Sequence, residues 1–264
     1  MVYLVALLLS AVSIAVVAIL IAVLAVQQVY AHIKEVKRLF IAALIAFIGI
    51  DMILLVRRLS PLDAIETITA LRLMYSLTLY SAAAIGFAAT IIYMKPKSST
   101  WKDIYSEILR RMPLPFASFT FILLVFFILG WIVPFNVELR SCPTSYTDLY
   151  IPILETPHIL AFHIGFIAFL SYPVVVFLLA SYAAENRAVS RDLRVFASSV
   201  IGLGLSNHLQ AFFLVRCFAE TVDIIRIPCF IVLTYVFRRI TSLQIFQDLE
   251  LREYIEYLKR RLKL

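Results

Sequence analysis

Charge is scarce in this chain. Asp, Glu, Lys and Arg make up 16% of its 264 residues, while 62% are hydrophobic. A soluble domain carries roughly a quarter charged residues, so a water-soluble globule is excluded. Glycine is scarce as well, at six residues, and no stretch alternates apolar with polar residues as the strands of a transmembrane barrel do. Helices then remain as the way to cross lipid, because there each backbone N–H and C=O must find its partner within its own segment. No basic residue precedes the apolar run Val2 to Val26. The positive leader of a secretory signal is therefore missing, and the run reads as a retained first helix. There is no internal repeat and no low-complexity tract. Asn and Gln are few beside many Ile, Val, Arg and Glu, a thermophile-like composition.

What is present is a succession of apolar runs, several longer than the ~20 residues that cross a bilayer as helix. They predict an all-α integral membrane protein with seven spans, at about 2–28, 39–56, 64–94, 114–134, 152–183, 193–215 and 218–237. The basic residues are distributed unevenly between the two sets of loops. Of 24 Lys and Arg, 18 fall after spans one, three and five and in the C-terminal tail, and only Arg57, Arg58, Arg140 and Arg216 lie in loops on the other side. The positive-inside rule places the rich side in the cytoplasm, with the N-terminus outside and the C-terminus inside. The net charge of +7 is mostly this asymmetry, so it points to the cell-membrane bilayer as partner and not to nucleic acid. The expected organisation is a multi-pass transmembrane domain over 1–239 and a cytoplasmic amphipathic helix over 240–264.

Two segments outside the spans carry helical patterns. In "SSTWKDIYSEILRRM", Trp101, Ile104, Tyr105, Ile108 and Met112 fall on one helical face, flanked by Lys102, Arg110 and Arg111. This predicts a short interfacial helix over about 99–112, capped by Ser99 or Thr100, either lying on the inner leaflet or packed on the inner end of the bundle. In the tail, Leu251, Ile255, Leu258 and Leu262 run at 4-3-4 spacing, a candidate docking helix for a protein partner.

Cysteines number three, with no C-x-x-C pair, so a dithiol redox or zinc motif is absent. Cys142 and Cys217 lie in outer loops on the oxidising side, which predicts a disulfide between them. Cys229 falls inside span seven as a small core residue.

Polar residues inside the spans are costly and mark functional positions by default. At 1.5 Å per residue, Glu155 and His158 lie about 5 to 9 Å below the outer end of span five, and His208 about 10 Å below that of span six. Asp223 and Arg226 on span seven fall at about 8 and 12 Å, and Asp51 and Arg72 near ~10 Å. Asn207 and Gln210 add amides beside His208. These nine residues form one expected layer in the outer third, with almost no ionisable group in the inner half. Asp51 and Arg72, on adjacent antiparallel helices, are the expected ion pair. Glu155 and His158 share one side of span five, while His163 is rotated by about 140° from His158 and stands apart. The layer admits structural ion pairs, a wet pocket for a small polar or charged ligand, a zinc site using His158, His208 and Asp223 or Glu155, or a haem between His158 and His208.

Motifs that would narrow the choice are missing. Span seven, "FAETVDIIRIPCFIVLTYVF", has no lysine for a retinal Schiff base. The H-x-x-x-H pair of the seven-helix zinc hydrolases is absent, and so is the Trp-rich loop of haem-handling cytochrome c assembly proteins. The seven-helix layout is shared with sensory domains of bacterial kinases, without a motif, and no family is recognised. The expected function is a receptor-like, ligand-sensing module, with the outer pocket as input and the seventh span plus tail as output. Its alternatives are a non-catalytic subunit of a redox or translocation complex, and a metal- or haem-dependent membrane enzyme.

Overall fold

The computed structural model describes residues 2–27, 31–60, 62–94, 100–132, 136–145, 148–153, 171–184, 187–215 and 217–239, with backbone alone at 31–33, 207, 210–215 and 220. Helices α1 (Val2–Val26), α2 (Ala31–Leu59), α3 (Ala64–Met94), α4 (Trp101–Arg111) and α5 (Pro113–Ile132) lead into an antiparallel hairpin of β1 (Asn136–Arg140) and β2 (Leu149–Ile153). Helices α6 (Ser171–Tyr182), α7 (Arg187–Val215), a 3₁₀ turn (Ala219–Val222) and α8 (223–239) follow. Four helices, α1, α2, α3 and α5, are long and apolar enough to cross a membrane. The chain is therefore a membrane protein, as its composition demands.

Local chemistry sets the helix ends. A reciprocal capping box starts α3: the Glu66 N–H donates to Asp63 Oδ1 at 2.7 Å and the Asp63 N–H to Glu66 Oε2 at 3.0 Å, satisfying two of the donors a helix start leaves open. Thr100 caps α4, its hydroxyl accepting from the Asp103 N–H at 3.4 Å. The α4–α5 break falls at Met112, because the residue before a proline is pushed out of helical geometry, and Pro113 is tolerated as the first residue of α5.

Charged residues expected in loops prove helical. The second helix begins at Ala31 and ends at Leu59, well beyond 39–56, so Lys34, Lys37 and Arg38 at one end and Arg57 and Arg58 at the other lie within it. Similarly, α7 begins at Arg187, not near residue 193. The expectation of an all-α chain is corrected by the hairpin, whose register pairs Asn136 with Ile153 and Arg140 with Leu149. Pro152 and Ile153 are strand residues, so a helical span does not begin at 152. Val, Ile and Tyr favour a pleated, half-buried surface, and Val137, Tyr150 and Ile151 occupy it here.

The core is built from aromatic contacts between helices. Phe40 stacks on Phe237 at 5.5 Å between centroids, Phe47 meets Phe230 edge-on at 4.7 Å, and Phe177 packs on Phe196 at 4.6 Å. Moving seven residues along α2, from Phe40 to Phe47, moves seven back along α8, from Phe237 to Phe230. The two helices thus form one antiparallel seam in constant register. Helices α3 and α5 approach closely where Gly130 meets the Tyr75 ring and Gly86 meets Phe119. A Cβ at Gly130 would stand 2.2 Å from Tyr75, and one at Gly86 2.4 Å from Phe119. The Tyr75 hydroxyl then donates to the Phe126 carbonyl across this contact at 3.0 Å.

Of the stripe expected on α4, Ile104 and Ile108 enter the main core, while Trp101 and Tyr105 remain exposed. The helix is thus packed on the end of the bundle with part of its apolar face left over. The end of the bundle opposite Arg57 and Arg58 also carries buried charge. Glu35 and Asp192 are buried there, Glu35 paired with Arg38, and Asp192 with Arg239 at 2.8 Å. Both lie at helix starts that a loop assignment had placed outside the bundle.

Candidate functional site: a buried ion network beneath a disulfide cap

Asp51 sits on the α2 face that carries Phe47, one turn further along, and Arg226 sits one turn before Phe230 on α8. The four-residue step from Phe47 to Asp51 matches the step from Phe230 back to Arg226, so the seam itself brings the charges together. Arg226 Nη1 donates to Asp51 Oδ1 at 2.8 Å, and both side chains are 0% exposed. The second oxygen, Asp51 Oδ2, accepts from the Ser13 hydroxyl of α1 at 2.6 Å. Arg226 Nη1 also stands 3.1 Å from Asp223 Oδ1, one turn earlier on its own helix. The guanidinium lies 5.7 Å from the Phe47 ring centroid, a cation–π contact that strengthens where water is excluded. Ser10, one turn from Ser13, is also fully buried. The network therefore ties α1, α2 and α8 through two carboxylates, one guanidinium and a hydroxyl. Ser13 lies about 16 Å along α1, level with the middle of that helix and deeper than an outer-third layer.

Above the network lies a cap. Cys142 and Cys217 are joined by a disulfide with Cα atoms 5.6 Å apart, as their shared side predicts. They form a small satellite core with Ile151. Two buried arginines at the end of α2 hold the cap. Arg57 Nη2 donates to the Tyr150 carbonyl of β2 at 2.7 Å. Arg58 Nη1 donates to the Thr144 carbonyl, and its Nη2 to the Cys217 carbonyl at 3.4 Å. The Thr144 hydroxyl donates to that same Cys217 carbonyl at 2.5 Å. Cys217 has φ 67°, the left-handed region that costs a non-glycine residue about 1 to 2 kcal/mol, so the carbonyl contacts and the disulfide hold a strained turn in place.

Of the nine expected layer residues, Asp51, Asp223 and Arg226 come together. Arg72 does not join them, and the expected Asp51–Arg72 pair is corrected. Arg72 turns to α5 instead, its guanidinium 5.9 Å from the Trp131 ring centroid. Trp131 Nε1 in turn donates to Ser76 Oγ at 3.1 Å. Equal depth did not make neighbours, because Arg72 and Asp51 face different helices. His208 is half-buried on α7. Asn207 and Gln210 are described in backbone only, and Glu155, His158 and His163 lie outside the described residues, as does the tail helix. Among the described residues, no three His, Cys, Asp or Glu side chains gather closely enough to hold a metal ion. Sequence reasoning missed Ser13, whose signal was Ser10 and Ser13 standing three apart in an otherwise aliphatic run. It also missed Arg57 and Arg58, which looked like loop charges.

At the other end, Arg194 bridges α6 and α7, with Nε donating to Ser181 Oγ at 3.2 Å and Nη2 to Ser190 Oγ at 3.0 Å. The Arg239 pKa is raised above its ordinary value, first by a hydrogen bond with Tyr235 and then by the Asp192 carboxylate, and the Arg239–Asp192 ion pair ties α8 to α7. Comparison with protein-family models and with curated proteins finds no match.

Proposed function

We propose that the chain is a seven-span, receptor-like module of the cell membrane, with its N-terminus and disulfide cap outside and its C-terminus in the cytoplasm. The Ser13–Asp51–Arg226–Asp223 network acts as a latch that couples the capped end to α8 and the charged tail beyond it. A small polar or charged ligand arriving at the capped end is the input in this reading, and displacement of α8 is the output. One observation carries it: Arg226 and Asp51 join α8 to α2 at zero exposure in an otherwise apolar seam. Burying an ion pair gains little stability over well-packed apolar residues of similar volume, and ionisable groups at membrane depth are functional positions by default. The basic-residue bias supports the orientation.

The orientation is tested by membrane-impermeant cysteine labelling of intact cells. A single added cysteine at Ser141 or Pro143, both exposed, in a Cys229→Ala background should label from outside and one at Leu264 should not, with the reverse pattern inverting the topology. The latch is tested by spin labels at Arg38 and Arg238, both exposed at the basic end of α2 and α8, in a Cys229→Ala background. Arg226→Met with Asp51→Leu should shift or broaden the distance distribution between the two labels. A folded double variant with an unchanged distribution would show that the network only holds helices together.

A further inference from the structure

The face of α4 left over by core packing has its own chemistry. At 100° per residue, its apolar side chains occupy one arc of about 140°. Ile104 and Ile108 fill one half of that arc and are buried in the bundle core. Trp101, Tyr105 and Leu109 fill the other half, at four-residue steps, and are 45%, 48% and 39% exposed. Beyond Leu109 around the helix come Lys102 and then Arg110, both exposed, with no acidic partner among the described residues. The opposite flank is different. There Arg111 is paired with Glu107 at 2.6 Å and donates to the Met94 carbonyl of α3 at 3.4 Å, so that edge is neutralised and tied to the bundle. Tyr105 is itself braced edge-on against Phe116 of α5 at 5.9 Å.

We infer that α4 is a binding site for anionic phospholipid, with Trp101, Tyr105 and Leu109 set among the acyl chains at the bilayer surface and Lys102 and Arg110 on the headgroup phosphates. Each part has a physical reason. Trp and Tyr favour the headgroup level, where an apolar ring and a polar tip are both accommodated. Long basic side chains reach outward from an apolar surface toward phosphate. An anionic leaflet attracts each Lys or Arg near it, and the attraction decays within a Debye length. Because Ile104 and Ile108 anchor the helix in the core, the basic edge is held at fixed height and direction and is not free to rotate away. The inference requires membrane residence only and is independent of the latch.

The chain has two tryptophans, so Trp131→Phe leaves Trp101 as the sole indole, with Trp131→Tyr as a second background should the first fold poorly. The full chain in nanodiscs is titrated with brominated phosphatidylglycerol or brominated phosphatidylcholine, which quench tryptophan on contact. Quenching of Trp101 should favour the anionic lipid by roughly 25-fold, since each of the two basic residues near the surface supplies about fivefold, and the preference should fall at high salt. Lys102→Gln with Arg110→Gln should abolish the preference while quenching by the neutral lipid persists, and Lys102→Arg with Arg110→Lys should retain it. Equal quenching by both lipids, survival of the preference in the glutamine variant, or no quenching by either lipid would overturn the inference. Competition by free glycerol phosphate would also overturn it, by assigning the basic edge to a soluble anion.

Discussion

Arg226→Met alone should destabilise the protein by about 3–5 kcal/mol, the usual cost of leaving a buried charge without its partner. Removing the guanidinium strands Asp51, which is 0% exposed and receives its Oδ1 hydrogen bond from Arg226. It also removes the ion pair with Asp223 at 3.1 Å. Asp51→Leu alone should cost a similar amount, because the buried Arg226 would lose its carboxylate partner at 2.8 Å. The double variant should recover much of the loss, since an apolar pair of similar volume needs no desolvation of charge. Unfolding in detergent, read as a double-mutant cycle, gives the coupling energy directly. Residues in one network deviate from additivity by about 0.5–3 kcal/mol, and strictly additive losses would mean that the two side chains do not share their energy. Arg72→Met is the control. Arg72 is half-buried beside Trp131, so its loss should be smaller and should add to that of Asp51→Leu.

Breaking the cap by Cys142→Ala with Cys217→Ala should cost about 4 to 5 kcal/mol, because the bond closes a loop across a separation of 75 residues and so restricts the unfolded chain. Peptide mapping without reductant should show Cys142 linked to Cys217 in the native protein, and reductant should shift its unfolding but not that of the variant. Free thiols under oxidising purification would contradict the prediction. The turn at Cys217 adds a finer test. Its φ of 67° is strained for alanine and free for glycine, so Cys142→Ala with Cys217→Gly should be more stable than the alanine pair by about 1 kcal/mol. Equal stability would show that the turn relaxes once the bond is gone.

Several features were legible in one dimension. The capping pattern of α4 and the positions of Ile104 and Ile108 followed from helical period. The disulfide followed from two cysteines in loops on the same side of the expected bundle. Segment edges were less legible, because charged residues continue a helix as well as apolar ones do. Lys34 and Arg57 therefore looked like loop residues although both lie in α2. The hairpin was hidden for a related reason. "NVELR" and "LYIPI" are too short to stand out beside apolar runs, and one of the contacts that hold them, from Arg57 to the Tyr150 carbonyl, comes from a helix distant in sequence.

The sequence by itself determined that this is a helical membrane protein. Composition and helical rise suffice for that, since both are counted along the chain. Only the tertiary structure decided which of its polar residues meet. Arg72 and Arg226 have nearly equal claims on Asp51 by depth, yet Asp51 binds Arg226. The α2–α8 seam of Phe40 with Phe237 and Phe47 with Phe230 sets the rotation of both helices, and Arg72 turns toward Trp131 on another face. Height along a helix is a local quantity, whereas direction around it becomes contact only when packing has chosen the neighbours.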